Sequence, residues 1–218
     1  MTKCKLAVTL AATVLMLSCG SLSAAVVPLS DLVNGQTIQS GDKVFSNFKY
    51  VETGDMPAVG DVQVETVTDT NGNYGVRFIG GFIDTAGGSS SDALITFDVS
   101  VAAGANQAIS GAILAANPAV FNGEGLASVT ETFLPTIDND KLVVYDFGNG
   151  DDKLTDSTTF ANTYQTLSVQ KDIILHAMGN NAAVTMSFVD QYFPQVPEPN
   201  SLGLMTLGLL GLLARRRR

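Results

Sequence analysis

A chain of 218 residues, 45% hydrophobic and without tryptophan, has room for one substantial domain plus processing segments. Lys3, Lys5 and Arg215 to Arg218 supply six of its 12 basic residues and Glu198 one of its 21 acids, so residues 26–195 keep 6 basic and 20 acidic side chains, a net of about −14. That balance argues against nucleic acid as a partner, because phosphate binding needs clustered cations. It favours solubility and cation association without defining a metal site.

The N-terminus has a basic start at Lys3 and Lys5 and an apolar run from Leu6 to Leu17. Ser23-Ala24-Ala25 then puts small residues where a signal peptidase needs them, so residues 1–25 read as a secretory signal peptide cut after Ala25. A rival reading takes Cys19, after Met16-Leu17-Ser18, as a lipoprotein box, although methionine stands where leucine is preferred. Cys4 and Cys19 are the two cysteines of the chain, and both precede Ala25. The exported domain, residues 26–195, therefore has no thiol, disulfide or thiolate ligand, and rests on apolar burial and sheet hydrogen bonds.

That domain is rich in Gly, Val, Thr, Ser, Asp and Asn, which suits a β-rich extracellular fold and not a helical bundle. Strands are expected at 43–50, 61–67, 74–83, 93–101, 125–133, 141–147, 165–175 and 183–193. Asp69-Thr70-Asn71-Gly72-Asn73 joins the second and third of these as a hairpin, since Asn-Gly accepts the left-handed backbone of a tight turn. The clearest alternation is Ile95, Phe97, Val99 and Val101 on one face with Thr96, Asp98 and Ser100 on the other. The Ala-rich stretch 106–117 fits either a strand with an irregular crossing or one helical turn. Without a long amphipathic helix or an internal repeat, the pattern predicts an all-β antiparallel β-sandwich, with a jelly roll among its arrangements.

Few residues in this body point to chemistry. His176 is the one histidine, and no nucleophile-elbow motif accompanies it, so it reads as a strand-end or turn residue and not as part of a Ser-His-Asp arrangement or a zinc site. Weak calcium candidates are the acidic loops with Asp138 and Asp140, with Asp151 and Asp152, and at Asp69; none has the EF-hand spacing, and solvated turns explain them more simply. The adjacent carboxylates Asp151 and Asp152 carry no wider glycosidase motif. No catalytic residue or obligate cofactor is assigned, and no enzymatic activity is expected. Glu131 and Lys171 fall in the inward phase of their strands, between Val129 and Phe133 and between Val169 and Ile173. Either the strands are neighbours and the two charges pair, or each strand is an edge with its charge in water; the second is the commoner arrangement.

The last 23 residues have three parts in fixed order. Pro197 and Pro199 flank Glu198, and proline holds the residue before it extended, so Val196 and Glu198 are kept out of a helix and readable as a strand. Residues 201–214 are uncharged and Leu-rich. As a helix they span about 21 Å, short of a hydrocarbon core of roughly 30 Å. Arg215, Arg216, Arg217 and Arg218 close the chain and stay cytoplasmic by the positive-inside rule. At Val196, Pro197, Glu198, Pro199, the short apolar helix and the arginine cluster, the tail (196–218) resembles the bacterial PEP-CTERM family.

The resemblance implies transient inner-membrane anchoring through that helix, and two signals at opposite ends of the chain together argue for a Gram-negative-type envelope. The resemblance also implies recognition by an exosortase, a membrane-embedded cysteine transpeptidase cutting near the motif, with signal peptidase as the other export partner. It further implies a cell-surface or extracellular destination in exopolysaccharide, matrix or biofilm material. The expected function is that of a non-enzymatic, exosortase-sorted surface protein. The alternative is a surface adhesin, a β-sandwich module binding carbohydrate or calcium.

Overall fold

The computed structural model describes residues 24–134 and 141–198. Asp138, Asp140, Pro199, the apolar stretch 201–214, Arg215 to Arg218, Cys4 and Cys19 lie outside them. No helix among the described residues is long and apolar enough to cross a membrane.

Two antiparallel seven-stranded sheets face each other. The strands in chain order begin with β1 (Val26–Pro28), β2 (Ile38–Ser40), β3 (Lys43–Thr53), β4 (Gln63–Thr68), β5 (Tyr74–Thr85), β6 (Ser91–Val101) and β7 (Gln107–Phe121). They continue with β8 (Glu124–Leu134), β9 (Lys141–Asp146), β10 (Asp152–Lys153), β11 (Thr155–Tyr164), β12 (Thr166–Met178), β13 (Ala183–Phe193) and β14 (Gln195–Pro197). The first sheet runs β1-β4-β5-β13-β7-β11, with β14 also paired to β7. The second runs β10-β9-β8-β12-β6-β3-β2. The predicted sandwich is therefore the fold, and the eight expected strands are all present, several longer by a few residues at their ends.

The predicted hairpin turn forms between β4 and β5. Asp69 Oδ1 accepts from the backbone N–H groups of Asn71 and Asn73, both at 2.8 Å, and Gly72 takes φ +83°. The stretch 106–117 resolves to strand: β7 runs 15 residues, and the helical-turn alternative falls. Its irregularity is real, with a register shift against β11 between Thr159 and Tyr164. Pro118 is tolerated because β11 pairs β7 only as far as Ala115, so the missing N–H breaks no ladder on that side. Beside it, Asn117 Oδ1 accepts from Ser187 N at 3.0 Å and Phe188 N at 2.9 Å, satisfying the shifted register of β13.

The core lies between the sheets. A bulge in β3 between Ser46 and Lys49, with Asn47 at φ +56°, turns Phe48 inward as well as Phe45. Phe97 then meets three rings, Phe45 at 6.0 Å, Phe78 at 5.7 Å and Phe48 stacked at 5.4 Å. A five-residue helix, α1 (Leu29–Val33), adds Leu29 and Leu32 to this core. Gly75 is needed where β5 passes β13: a Cβ there would sit 1.9 Å from the Gln191 carbonyl oxygen.

The edge-strand reading of Glu131 and Lys171 is overturned. β8 and β12 are interior neighbours, and Lys171 stands directly opposite Glu131 in their register. Both side chains are 0% exposed, and Lys171 Nζ donates to Glu131 Oε2. A third member is Gln191 of β13, reaching from the facing sheet to accept a hydrogen bond from Lys171. Burial pushes the Glu131 carboxyl up and the Lys171 ammonium down, and each is drawn back by the other's charge. Gln191 also breaks an inward phase, that of Val189 and Phe193, and the same alternation test applied to β13 finds it.

Candidate functional site

The segment with the strongest functional signature in the sequence is built into the sandwich. β14 continues the line of β13 after Pro194 and pairs antiparallel with the start of β7: Gln195 opposite Ile109, Val196 opposite Ala108, Pro197 opposite Gln107. Ser110 N donates to Pro194 O at 2.8 Å, and Glu198 N donates to Asn106 O at 3.1 Å. Val196 and Pro197 are exposed, and β7 is the only strand that pairs β14 among the described residues. The expected extended geometry is thus held by a ladder as well as by proline stereochemistry. The ordered sheet runs across the expected domain boundary at 195/196.

Side chains fasten the same segment. Lys43, wholly buried at the start of β3, donates to Gln195 Oε1 and to Asp42 Oδ1, the latter at 2.7 Å. Burial pushes the Lys43 ammonium down, and Asp42 opposes the shift. Gln165 Nε2 bridges two parts of the junction, donating to Gln107 O at 2.8 Å and to Glu198 Oε1 at 2.7 Å. Sequence reasoning missed Lys43 as an inward charge, although it shares the phase of Phe45.

Near the N-terminal end of the described residues, Ala25 N donates to Thr66 Oγ1 and Ala25 O accepts from Thr66 N, each at 2.9 Å. Val26 stands opposite Glu65 in the β1–β4 register.

The outer face of the second sheet carries a groove of about 710 Å³, lined by Asn47, Lys49, Thr96, Asp98, Leu134 and Ser168 among others. Asp98 is its polar centre: Asn47 Nδ2 donates to Oδ2 at 2.6 Å, and Ser168 Oγ donates to Oδ1. The bulge in β3 supplies Asn47. Farther along the same face, partial burial followed by the charge of Asp92 of β6 raises the carboxyl of Asp172 of β12.

A raised carboxyl favours the protonated folded state at low pH and costs stability once pH rises through the raised value. Asp172→Asn is therefore expected to raise the urea midpoint at pH 7 by an amount worth under about 1 kcal/mol, discounted for solvent screening. The gain should shrink as pH falls into the ordinary carboxylate range. Urea titrations at pH 7 and pH 4 check this.

The remaining candidates stay apart. Asp151 lies in the β9–β10 turn, where its N–H donates to Asn149 Oδ1 at 2.9 Å and its carbonyl accepts from Phe147 N. Asp152 pairs with Asp146 in register, exposed. Both oxygens of Asp69 are occupied by its own turn. Among the described residues no three His, Cys, Asp or Glu side chains gather as metal ligands. His176 lies near the end of β12, opposite Leu126, and its Nδ1 is buried without a hydrogen-bond partner.

Residues 195–218 match the PEP-CTERM protein-sorting motif. The tail therefore carries that motif, which implies export, exosortase processing and surface localisation. No curated protein matches the chain. Among solved structures, TmCBM61 in complex with β-1,4-galactotriose is similar with a TM-score of 0.32 and 12% identity, over 68% of this chain and 88% of that one. TmCBM27, a carbohydrate-binding module described for specific mannan recognition, gives 0.30 and 10%, over 78% and 96%. A family 12 xyloglucanase from Bacillus licheniformis gives 0.27 and 9%, over 79% and 100%.

Proposed function

We propose that this chain is a non-enzymatic β-sandwich delivered to the cell surface through its PEP-CTERM tail, where it associates with extracellular polysaccharide matrix. The observation that carries this reading is the junction itself. The sorting motif begins inside the last strand of an ordered sandwich, with Val196 and Pro197 paired to Ala108 and Gln107. The sandwich and its sorting tail are thus one continuous design, a folded cargo ending in an extended handle. No chemistry is assigned to the sandwich: among the described residues no three His, Cys, Asp or Glu side chains gather, and both carboxylate oxygens of Asp69 are taken up within its own turn.

Intact-mass measurement of the surface form tests the reading. The expected mass starts at Val26 and lacks the arginine cluster. A mass that includes Arg218 would count against processing.

A second reading, a carbohydrate-binding adhesin, is favoured by the Asp98 groove. It is open and lined by amide, hydroxyl, carboxylate and ammonium groups beside apolar Leu134. Such a mixture suits the polar edges and apolar faces of sugars. A glycan array probed with the sandwich and with Asp98→Ala separates the two readings. Binding lost in the variant would favour the adhesin.

A further inference from the structure

We infer that the bond broken during tail processing lies C-terminal to Glu198, so that residues 195–198 remain as the closing strand of the mature sandwich; this rests on the exosortase-processing reading above. Three observations support it. The backbone of residues 194–198 is tied to residues 106–110, the start of β7 and the residue before it, at both ends and along the β14 ladder. Lys43, with no exposure, takes Gln195 as one of two hydrogen-bond partners. Gln165 clips the Glu198 carboxylate to the start of β7.

A cut between Gln195 and Glu198 would remove the Glu198 N–H bond to Asn106 and the Gln165 clip, and would leave Gln195, the partner of the buried Lys43 ammonium, at or near a new chain terminus. Buried ammonium groups and unpaired strand backbone are costly. A transpeptidase cleft also needs the substrate backbone on both sides of the scissile bond. Here β7 already holds one edge of that backbone, and Pro197 has no N–H to offer. A cut C-terminal to Glu198 leaves every one of these bonds in place.

In the step itself, the enzyme thiolate attacks the carbonyl of the residue before the cut, and the C–N bond breaks. The departing segment leaves as a protonated amine. The thioester then passes its acyl group to water or to an acceptor amine, which restores the thiol.

Mass spectrometry of the C-terminal peptide of the surface form is the test. The expected peptide contains Val196-Pro197-Glu198. A peptide ending at Gln195, Val196 or Pro197 would overturn the inference, whereas one ending at Arg218 would sink the processing reading on which it rests.

A second measurement locks the strand. Ala108 and Val196 are direct register partners, and opposed residues in antiparallel strands lie about 4.5–5.5 Å apart, within disulfide reach. Ala108→Cys with Val196→Cys introduces the only thiols of the mature domain, in an oxidising compartment. The locked chain is expected to be processed at the unmodified rate. Processing that stalls until reductant is added would show that β14 must peel away, and cysteines that stay unpaired would show that it does not dock; either overturns the inference.

Discussion

Lys171→Met is expected to cost about 3–5 kcal/mol, because it strands the Glu131 carboxylate between the two sheets. Glu131 is 0% exposed, and its register partner is the lysine that would be lost. Glu131→Gln should fall in the same range, since it removes the charge that holds the buried Lys171 ammonium. Made together, the two substitutions should cost clearly less than the sum of the single losses. Neither then leaves an uncompensated charge, and the new amide can donate to Gln191 in place of Lys171. Urea unfolding of the four proteins measures the coupling, and additive losses would show that the pair does not act as a unit. The pair favours the register of β8 on β12, since a slip of β8 by one residue would send Glu131 to the outer face and leave Lys171 buried without it.

Phe97→Ala should be comparably damaging, at about 3–5 kcal/mol. The ring is 1% exposed and touches Phe45, Phe48 and Phe78, from both β3 and the facing sheet, so no single neighbour can swing in to fill the void. For a domain of this size that corresponds to roughly 6–20 °C in Tm. Phe147→Ala is the control. Its ring is 40% exposed and, among the described residues, meets one ring, that of Tyr145, tilted at 4.8 Å, so its loss should be small. Thermal unfolding of the two variants ranks them, and equal losses would place the core elsewhere.

The legible parts of this fold were those where burial alternates cleanly. β6 shows it best, and β8, β12 and β13 follow, because each buries one face along nearly its whole length. β11 was hidden because it is an edge strand of mostly Thr, Ser, Asp and Asn with one buried anchor, Phe160. β1, β2 and β10 are two or three residues long and form only because a longer neighbour offers a ladder.

The inward phase of β3 does not run unbroken along the strand. A bulge at Asn47 resets it, and Phe45 and Phe48 face inward three residues apart.

The site divides in the same way. Val196, Pro197 and Glu198 stood out because two prolines around an acid ahead of an apolar run form a local pattern. Their docking on β7 was not legible, because it depends on Lys43, Asn106 and Gln165, which are distant in sequence. Glu131 and Lys171 were visible as charges out of phase, but only the strand order decides between partners and edges. That order placed β8 beside β12 and made them partners. Asp92 and Asp172 lie 80 positions apart on polar faces and have no local signature.

The most direct measurement follows the destination of a chain that ends at Glu198. It retains every described strand, including β14 on β7, so its thermal unfolding should match that of the exported sandwich. Without residues 199–218 it should fail to reach the cell surface. Arrival there in normal amount would contradict the account, since the tail would then not direct this protein.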